Sequence, residues 1–425
     1  LSSHALAGAL RDAAQVVARI ASGASLAAEF QRVAEEGSST PRAALLDLTY
    51  GTLRRYGRVQ KIAAHLSRRG SADPLLQALL WCSIYALESG RYADYTVVDQ
   101  AVRACRLLEK WNAKGYVNAV LRGALRSRTA VKASIEADPE ALHQHPKWWI
   151  DFVRAAYPAE WEAVLAAGNT HPPMTLRVNR RRVTVERYTE RLATEGIAAR
   201  RVMMDALLLE RPVPVERLPG FASGDVSVQD AGAQRAAFCL ELAPRQRILD
   251  ACAAPGGKAG HILELEDVEL TALDVDAVRA SRAAANLERL GLSAKNVVAA
   301  DCTHPAEWWD GKPFDRILAD VPCSASGVAR RHPDMKWLRR PQDIAGFSAR
   351  QGEILDALWQ VLGPNGKLLY VTCSVFPQEN EAVVQAFLNR TPRAARLGLP
   401  DGSPAQWLPC AEHDGFYYAL IQKQA

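Results

Sequence analysis

The sequence predicts a multidomain protein: an N-terminal all-α helical bundle, a small α+β middle domain, and a C-terminal α/β domain on a Rossmann-like, doubly wound sheet. Three observations predict it. Apolar residues recur at three- and four-residue spacing up to about residue 135, composition shifts across 136–150, and from about residue 233 short apolar strands alternate with helices. A chain of 425 residues exceeds what one core fills, so two or three domains are expected. The boundaries fall at 1–140, 141–232 and 233–425.

In the first part, Ala13, Val16, Val17 and Ile20 form one apolar helical stripe, and Leu45, Leu48, Leu53 and Tyr56 another. Two basic segments follow. One holds Arg54, Arg55, Arg58, Lys61, Arg68 and Arg69. The other holds Arg103, Arg106, Lys110, Lys114, Arg122, Arg126 and Arg128. Residues 1–135 carry 19 Lys/Arg against 10 Asp/Glu, a net +9, which leaves −4 for the rest of a +5 chain. Such asymmetry points to a polyanion partner, because phosphate contacts dominate nucleic-acid affinity.

The same composition excludes several classes. With 48% hydrophobic and 23% charged residues, the chain is that of a folded soluble protein. The longest apolar stretch, Leu75 to Leu87, contains Gln77 and is too short for a bilayer. No signal-peptide pattern opens the chain. Eight cysteines without a CxxC pair argue against a disulfide scaffold and a zinc ribbon. A cytoplasmic protein with free thiols and no metal is expected.

Residues 136–150 read as a linker into a new unit. Met174–Asn179 has strand character, a helix is expected from Val185 to Gly196, and this small α+β piece ends near Gln229-Asp230. Strands are then expected at Arg247–Asp250, Glu269–Asp274, Asn296–Asp301, Phe314–Asp320 and Lys367–Thr372. Helices are expected to start at Lys258 and to span Val278–Leu290 and Ile344–Leu362, with a turn at Gly363-Pro-Asn-Gly366. In such sheets ligands bind beyond the carboxyl ends of the strands.

The polar residues fall at those ends. Asp250, Asp274, Asp301 and Asp320 each close an apolar strand. Cys252-Ala253-Ala254-Pro255-Gly256-Gly257-Lys258 joins the first strand to its helix. Small residues and two glycines let the backbone approach a ligand and leave amides free at a helix start. Asp274 suits two ribose hydroxyls, and Asp301 suits an adenine amino group.

Cys323 closes the fourth strand and Cys373 the fifth. Neighbouring strands would turn both thiols to one pocket. Cys82, Cys105, Cys239, Cys302 and Cys410 read instead as small hydrophobic residues. A thiolate has a particular use in such a pocket. Carbon 5 of cytosine is a poor nucleophile. A thiolate adding to carbon 6 makes an enamine whose carbon 5 attacks an electrophilic methyl group, and loss of the carbon-5 proton then releases the thiol. The reaction needs a cysteine of lowered pKa, which Lys258 would favour, and an acid near nitrogen 3, for which Asp320 is placed. Spacing alone does not rank the two cysteines.

The chain resembles the bacterial 16S ribosomal RNA cytosine-5 methyltransferases of the Sun/Fmu (RsmB) family. The resemblance rests on LDACAAPGGK (249–258), ALDVD (272–276), AADC (299–302), FDRILADVPCSASGVARRHPDMKW (314–337) and LLYVTCSVFPQENE (368–381). Asp414–Ala419 looks like the family's last strand, and segment 145–230 like its small middle domain. Residues 1–135 resemble the helical RNA-binding domain of the antitermination factor NusB.

The resemblance implies a class I methyltransferase fold and S-adenosylmethionine bound by Cys252 to Lys258, Asp274, Asp301 and Asp320. It implies that Cys373 attacks carbon 6 and that Cys323 assists release. The implied partner is 16S rRNA, free or in a partly assembled small subunit, with no membrane, metal or obligate protein partner. Arg330, Arg331, Lys336, Arg339 and Arg340 are expected to contact phosphates, extended by Arg177 and Arg180 to Arg182. Two alternatives stand beside this reading: a tRNA cytosine-5 methyltransferase, and a non-catalytic RNA-binding or antitermination factor. The second would lack Cys373 or the glycines of CAAPGGK, and both are present.

Overall fold

The computed structural model describes residues 3–36, 40–67, 71 and 73–425. It divides into two compact units. One comprises Leu1–His171 with Ala329–Pro341, the other Pro172–Val328 with Gln342–Ala425.

The first unit is helical throughout. Its central helix, Pro74–Ser89, buries Leu76 and every residue from Ala78 to Leu87. That explains the longest apolar run of the sequence: it is the middle of a bundle. The helix starts where Asp73 accepts hydrogen bonds from the Leu75 and Leu76 amides and ends at Gly90 in the left-handed region. The helices Ser3–Ala21 and Arg42–Arg54 pack on it, and both predicted apolar stripes are buried. Among the described residues, no helix is long and apolar enough to cross a membrane.

Residues 136–150 differ from the expected linker. They hold the helix Pro139–His143 and the start of Lys147–Ala156. Asp138 caps the first helix and Pro139 pre-sets its first turn, so the prolines here begin helices instead of breaking them.

Two of the predicted phosphate contacts are buried within this unit. Lys336 and Arg330 are almost fully buried. The Lys336 ammonium donates to the carbonyl of Gln144 (2.9 Å), to Asn169 Oδ1 (2.7 Å) and to the carbonyl of Arg54 (3.4 Å). The Arg330 carbonyl accepts from Arg54 Nη2 at 3.0 Å. Trp337, beside Lys336, stacks edge-on against Tyr56 at 5.2 Å. Arg330 and Lys336 are therefore packed inside the helical unit, and charge pattern alone misassigned these two residues to the surface. Other cations of the unit are ion-paired within it: Arg58 with Glu88, Lys61 with Asp138, Lys110 with Asp73. Arg68 and Arg69 lie outside the described residues.

The second unit holds two sheets. The small one contains β1 (Thr175–Val178), β2 (Ala199–Arg201), β3 (Ala206–Leu209) and β4 (Val226–Val228), antiparallel in the order β2-β3-β1-β4. The helix Val185–Thr194 covers it with Tyr188 and Leu192.

The large sheet begins with β5 (Arg247–Asp250), β6 (Glu269–Asp274), β7 (Asn296–Ala299), β8 (Phe314–Asp320) and β9 (Leu362–Thr372). It continues with β10 (Ala394–Leu397), β11 (Gln406–Trp407) and β12 (Phe416–Lys423). The strand order is β10-β12-β9-β8-β5-β6-β7, with β11 on β12. Strands β5 to β9 pair in parallel, and β12 is antiparallel to β9. Consecutive residues such as Leu249 and Ile248, or Leu368 and Leu369, enter cores on opposite faces. Both faces are covered, and hence these strands read as unbroken apolar runs. The predicted turn at Gly363–Gly366 is an excursion inside β9, where the pairing with β8 shifts register and Asn365 takes a positive φ of 59°.

Arg177 corrects a further expectation. It is fully buried on β1, and its guanidinium makes a two-pronged ion pair with Glu264 at 2.7 and 2.8 Å. It also donates to the Gly257 carbonyl and to Gln229 Oε1. Arg177 thus ties the small sheet to the helix Gly257–Leu265 and does not face phosphate. Arg177→Met is expected to cost about 3–5 kcal/mol, because Glu264 stays buried without its partner. A double variant with Glu264→Leu should recover most of that loss. Urea titration followed by tryptophan fluorescence compares the two.

Candidate active site

A cavity of about 300 Å³ opens at the carboxyl ends of β5, β6, β7, β8 and β9. It is lined by residues from each, including Cys252, Asp274, Asp301, Asp320, Cys323 and Cys373. Strand order creates this: a crossover connects each parallel strand, and the loops after successive strands meet on one side.

The floor is the loop Ala251–Gly256. Its path is set by main-chain bonds, Ala253 N to the Leu273 carbonyl and Gly256 N to the Ala253 carbonyl, both 2.7 Å. Gly256 has φ +90°, and a Cβ there would come within 3.0 Å of Ala283 Cα. Only glycine lets this loop pass so close to the helix Ala277–Leu290. Beyond it the helix Gly257–Leu265 starts with no side-chain cap.

The acids differ in their surroundings. Asp274 is nearly buried and accepts from the amides of Ala254 (3.3 Å) and Asp276 (3.1 Å). Asp301 accepts from the Thr303 amide and hydroxyl and from Arg350 at 2.6 Å. Burial would raise its carboxyl, but those donors outweigh burial and hold it below the ordinary value. Asp320 accepts from Lys258 Nζ at 2.5 Å. Burial alone would lower the Lys258 ammonium. The Asp320 charge and hydrogen bond, with a further contribution from Cys373, outweigh it and keep the group charged. Behind these, burial and the Asp320 charge push the Asp250 carboxyl up to about 7.

The two thiols meet as the strand order requires. β8 and β9 are adjacent, with Asp320 paired to Val371. Cys323 Sγ lies 3.4 Å from Cys373 Sγ, and both residues are half-buried. The contact with Cys373 and then burial push Cys323 well above the ordinary thiol range, so Cys323 holds its proton. The loop after Cys323 is pinned to the loop after Cys373. Gly327 N donates to the Cys373 carbonyl at 2.8 Å, and a Cβ on Gly327 would sit 2.3 Å from the Gly415 carbonyl oxygen.

All twelve sequence-predicted site residues lie in or beside this cavity: the loop Cys252, Ala253, Ala254, Pro255, Gly256, Gly257 with Lys258, and Asp274, Asp301, Asp320 with the cysteine pair. Sequence reasoning missed four others. Arg350 lines the cavity from the helix Pro341–Val361, where nothing in its spacing signals the site. Cys302, read as a core residue, lines it too; it lies within hydrogen-bonding reach of Cys252, which with burial pushes the Cys252 thiol up. Its place directly after Asp301 was the available signal. Ser324 and Ser374, each following a site cysteine, bond to the buried Glu379. Cys410, expected in the core, is exposed.

Residues 237–422 match the family model described as 16S rRNA methyltransferase RsmB/F. Residues 145–216 match the RsmF/B-like ferredoxin-like domain, and residues 9–126 the NusB family. Ribosomal RNA small subunit methyltransferase B of Pseudomonas syringae pv. tomato is 44% identical over 96% of this chain and 97% of its own length. The protein of that name in Vibrio cholerae is 42% identical over 90% of this chain and 89% of its own. Among solved structures, PH0851 superposes with a TM-score of 0.80 over 98% of this chain and 99% of its own, at 22% identity, and shares the fold. A methyltransferase homologue from Pyrococcus horikoshii gives a TM-score of 0.60 at 28% identity, over 67% of this chain and 97% of its own.

Proposed function

The chain belongs to the 16S rRNA methyltransferase RsmB/F family, and we propose that it methylates carbon 5 of a specific cytosine in 16S ribosomal RNA through a covalent cysteine–cytosine adduct. The observation that carries this reading is the pair of thiols 3.4 Å apart at the ends of two adjacent strands, in one cavity with Asp274, Asp301 and Asp320.

The residues present fit S-adenosylmethionine. Gly256 leaves no side chain over the loop, Asp274 offers a carboxylate for ribose hydroxyls, and exposed Val275 beside it offers an apolar face. Bound there, S-adenosylmethionine supplies the electrophilic methyl group.

The chain's own residues do the rest. Cys373 adds as thiolate to carbon 6, with the Lys258 ammonium close enough to favour the charge. Asp320, held by Lys258, faces the ring edge. The contact with Cys373 and burial keep the proton on Cys323 before the adduct forms. Once the carbon–sulfur bond forms, the Cys373 sulfur no longer raises Cys323 through that contact, and Cys323 is freed to lose its proton. A thiolate at Cys323 then removes the carbon-5 proton, and the elimination expels Cys373. We assign residues 1–140 and 141–232 to RNA binding and 233–425 to catalysis, in the cytoplasm.

The test is methyl transfer from labelled S-adenosylmethionine to purified 16S rRNA, partly assembled small subunits and bulk tRNA, with the product mapped by bisulfite sequencing. The proposal expects one protected cytosine in 16S rRNA. Label on tRNA alone, or at a base other than cytosine, contradicts it.

A further inference from the structure

Glu379 lies six residues beyond Cys373, at the end of the short turn Pro377–Glu379, and is fully buried. Its carboxylate accepts from the Ser324 amide (2.7 Å), the Ser324 hydroxyl (2.5 Å) and the Ser374 hydroxyl (2.7 Å). Gln351 Nε2 approaches it at 3.5 Å while donating to the Pro322 carbonyl at 2.9 Å. Ser374 in turn meets the Ser326 hydroxyl at 2.9 Å, which accepts from the Val375 amide. Among the described residues, no Lys, Arg or His pairs with Glu379, and burial raises its carboxyl against the opposing serine bonds.

A buried carboxylate without a counter-ion is costly. Here neutral donors take the place of water, and two of those donor residues are the ones that directly follow Cys323 and Cys373. None of these hydrogen bonds goes to a thiol, although the charge of Glu379 helps raise Cys323. The carboxylate bridges the two backbones from which the thiols project.

We propose that Glu379 is the positioning residue of the thiol pair: through Ser324 and Ser374 it sets the separation of Cys323 and Cys373. The inference rests on the reading of that pair as catalytic. Its geometric half does not, because the thiols report their own separation.

The experiment uses the full-length protein with Glu379→Ala and Glu379→Gln, and three readouts. The first is steady-state methylation of 16S rRNA. The second is S-adenosylmethionine affinity by calorimetry. The third is closure of a Cys323–Cys373 disulfide by diamide without RNA or cofactor. There each thiol gives up its hydrogen, the sulfurs join, and the azo bond of diamide takes up both hydrogens. Peptide mapping identifies the pair and separates it from any Cys252–Cys302 linkage.

Glu379→Ala is expected to lower kcat about 100-fold, the cost of an ångström-scale misplacement, with KM for RNA and cofactor held within about threefold. Disulfide closure should slow about tenfold or more, as the sulfurs no longer rest in reach of bonding geometry. Glu379→Gln keeps an acceptor for the Ser324 amide and should regain about tenfold in kcat. Normal kcat in Glu379→Ala, or lost kcat with disulfide closure as fast as wild type, overturns the proposal. Should Glu379→Ala fail to fold, Ser324→Ala and Ser374→Ala carry the same test, and unchanged kcat and closure in both overturn it. Failure of the underlying reading looks different: Cys373→Ala would retain turnover whatever Glu379 does.

Discussion

Cys373→Ala is expected to abolish methyl transfer, by roughly 10⁶-fold on the scale set by removing a covalent nucleophile. The size follows from the chemistry. Without a thiolate on carbon 6, carbon 5 of cytosine has no enamine to make it nucleophilic, and no other group in the cavity supplies one. Of the other sulfurs that line the cavity, Cys323 and Cys252 are held well above the ordinary thiol range, and Cys302 is engaged with Cys252. The fold should survive, since the half-buried sulfur gives up little packing. Calorimetry should return wild-type cofactor affinity, because Asp274 and the Cys252–Lys258 loop are untouched. A filter-binding methylation assay beside that titration checks both halves. Turnover near wild type would remove Cys373 from its role.

Cys323→Ala has a different expected result: a stalled covalent complex. The attacking thiol remains, so the carbon–sulfur bond forms. What is lost is the sulfur 3.4 Å away, the group proposed to take the carbon-5 proton and allow elimination. With RNA and S-adenosylmethionine present, an enzyme–RNA species that survives denaturing electrophoresis should accumulate toward stoichiometry, and turnover should fall about 100-fold or more, as when a general base is removed. The double variant Cys323→Ala/Cys373→Ala should form none. Normal turnover and no adduct in Cys323→Ala would assign proton removal elsewhere.

Much of the catalytic sheet was legible because its physics is local. Strands covered on both faces must be apolar throughout, and the residues that interrupt them at Asp250, Asp274, Asp320 and Thr372 mark the ends where ligands bind. The adjacency of Cys323 and Cys373 follows once β8 and β9 are neighbours. The partners of single charges were not legible. Lys336 and Arg177 look like surface cations, yet each finds oxygens across long stretches of sequence: Gln144 and Asn169 for one, Glu264 for the other. No local pattern announces such pairs. The short strands β10 and β11 were missed because four and two residues hold no measurable alternation. The helix Pro139–His143 was masked by its own proline, Pro139, which looks like a breaker until Asp138 is recognised as a cap. Glu379 sat within a quoted motif, but its meaning depends on Ser324, 55 residues away.

The order of the two thiols is the centre of the account, and peptide mapping of the complex trapped with Cys323→Ala tests it most directly. The expected product is a tryptic peptide containing Cys373 joined through sulfur to carbon 6 of a carbon-5-methylated cytosine. Absence of any linked nucleotide from Cys323→Ala, together with a trapped adduct on Cys323 in Cys373→Ala, would contradict it.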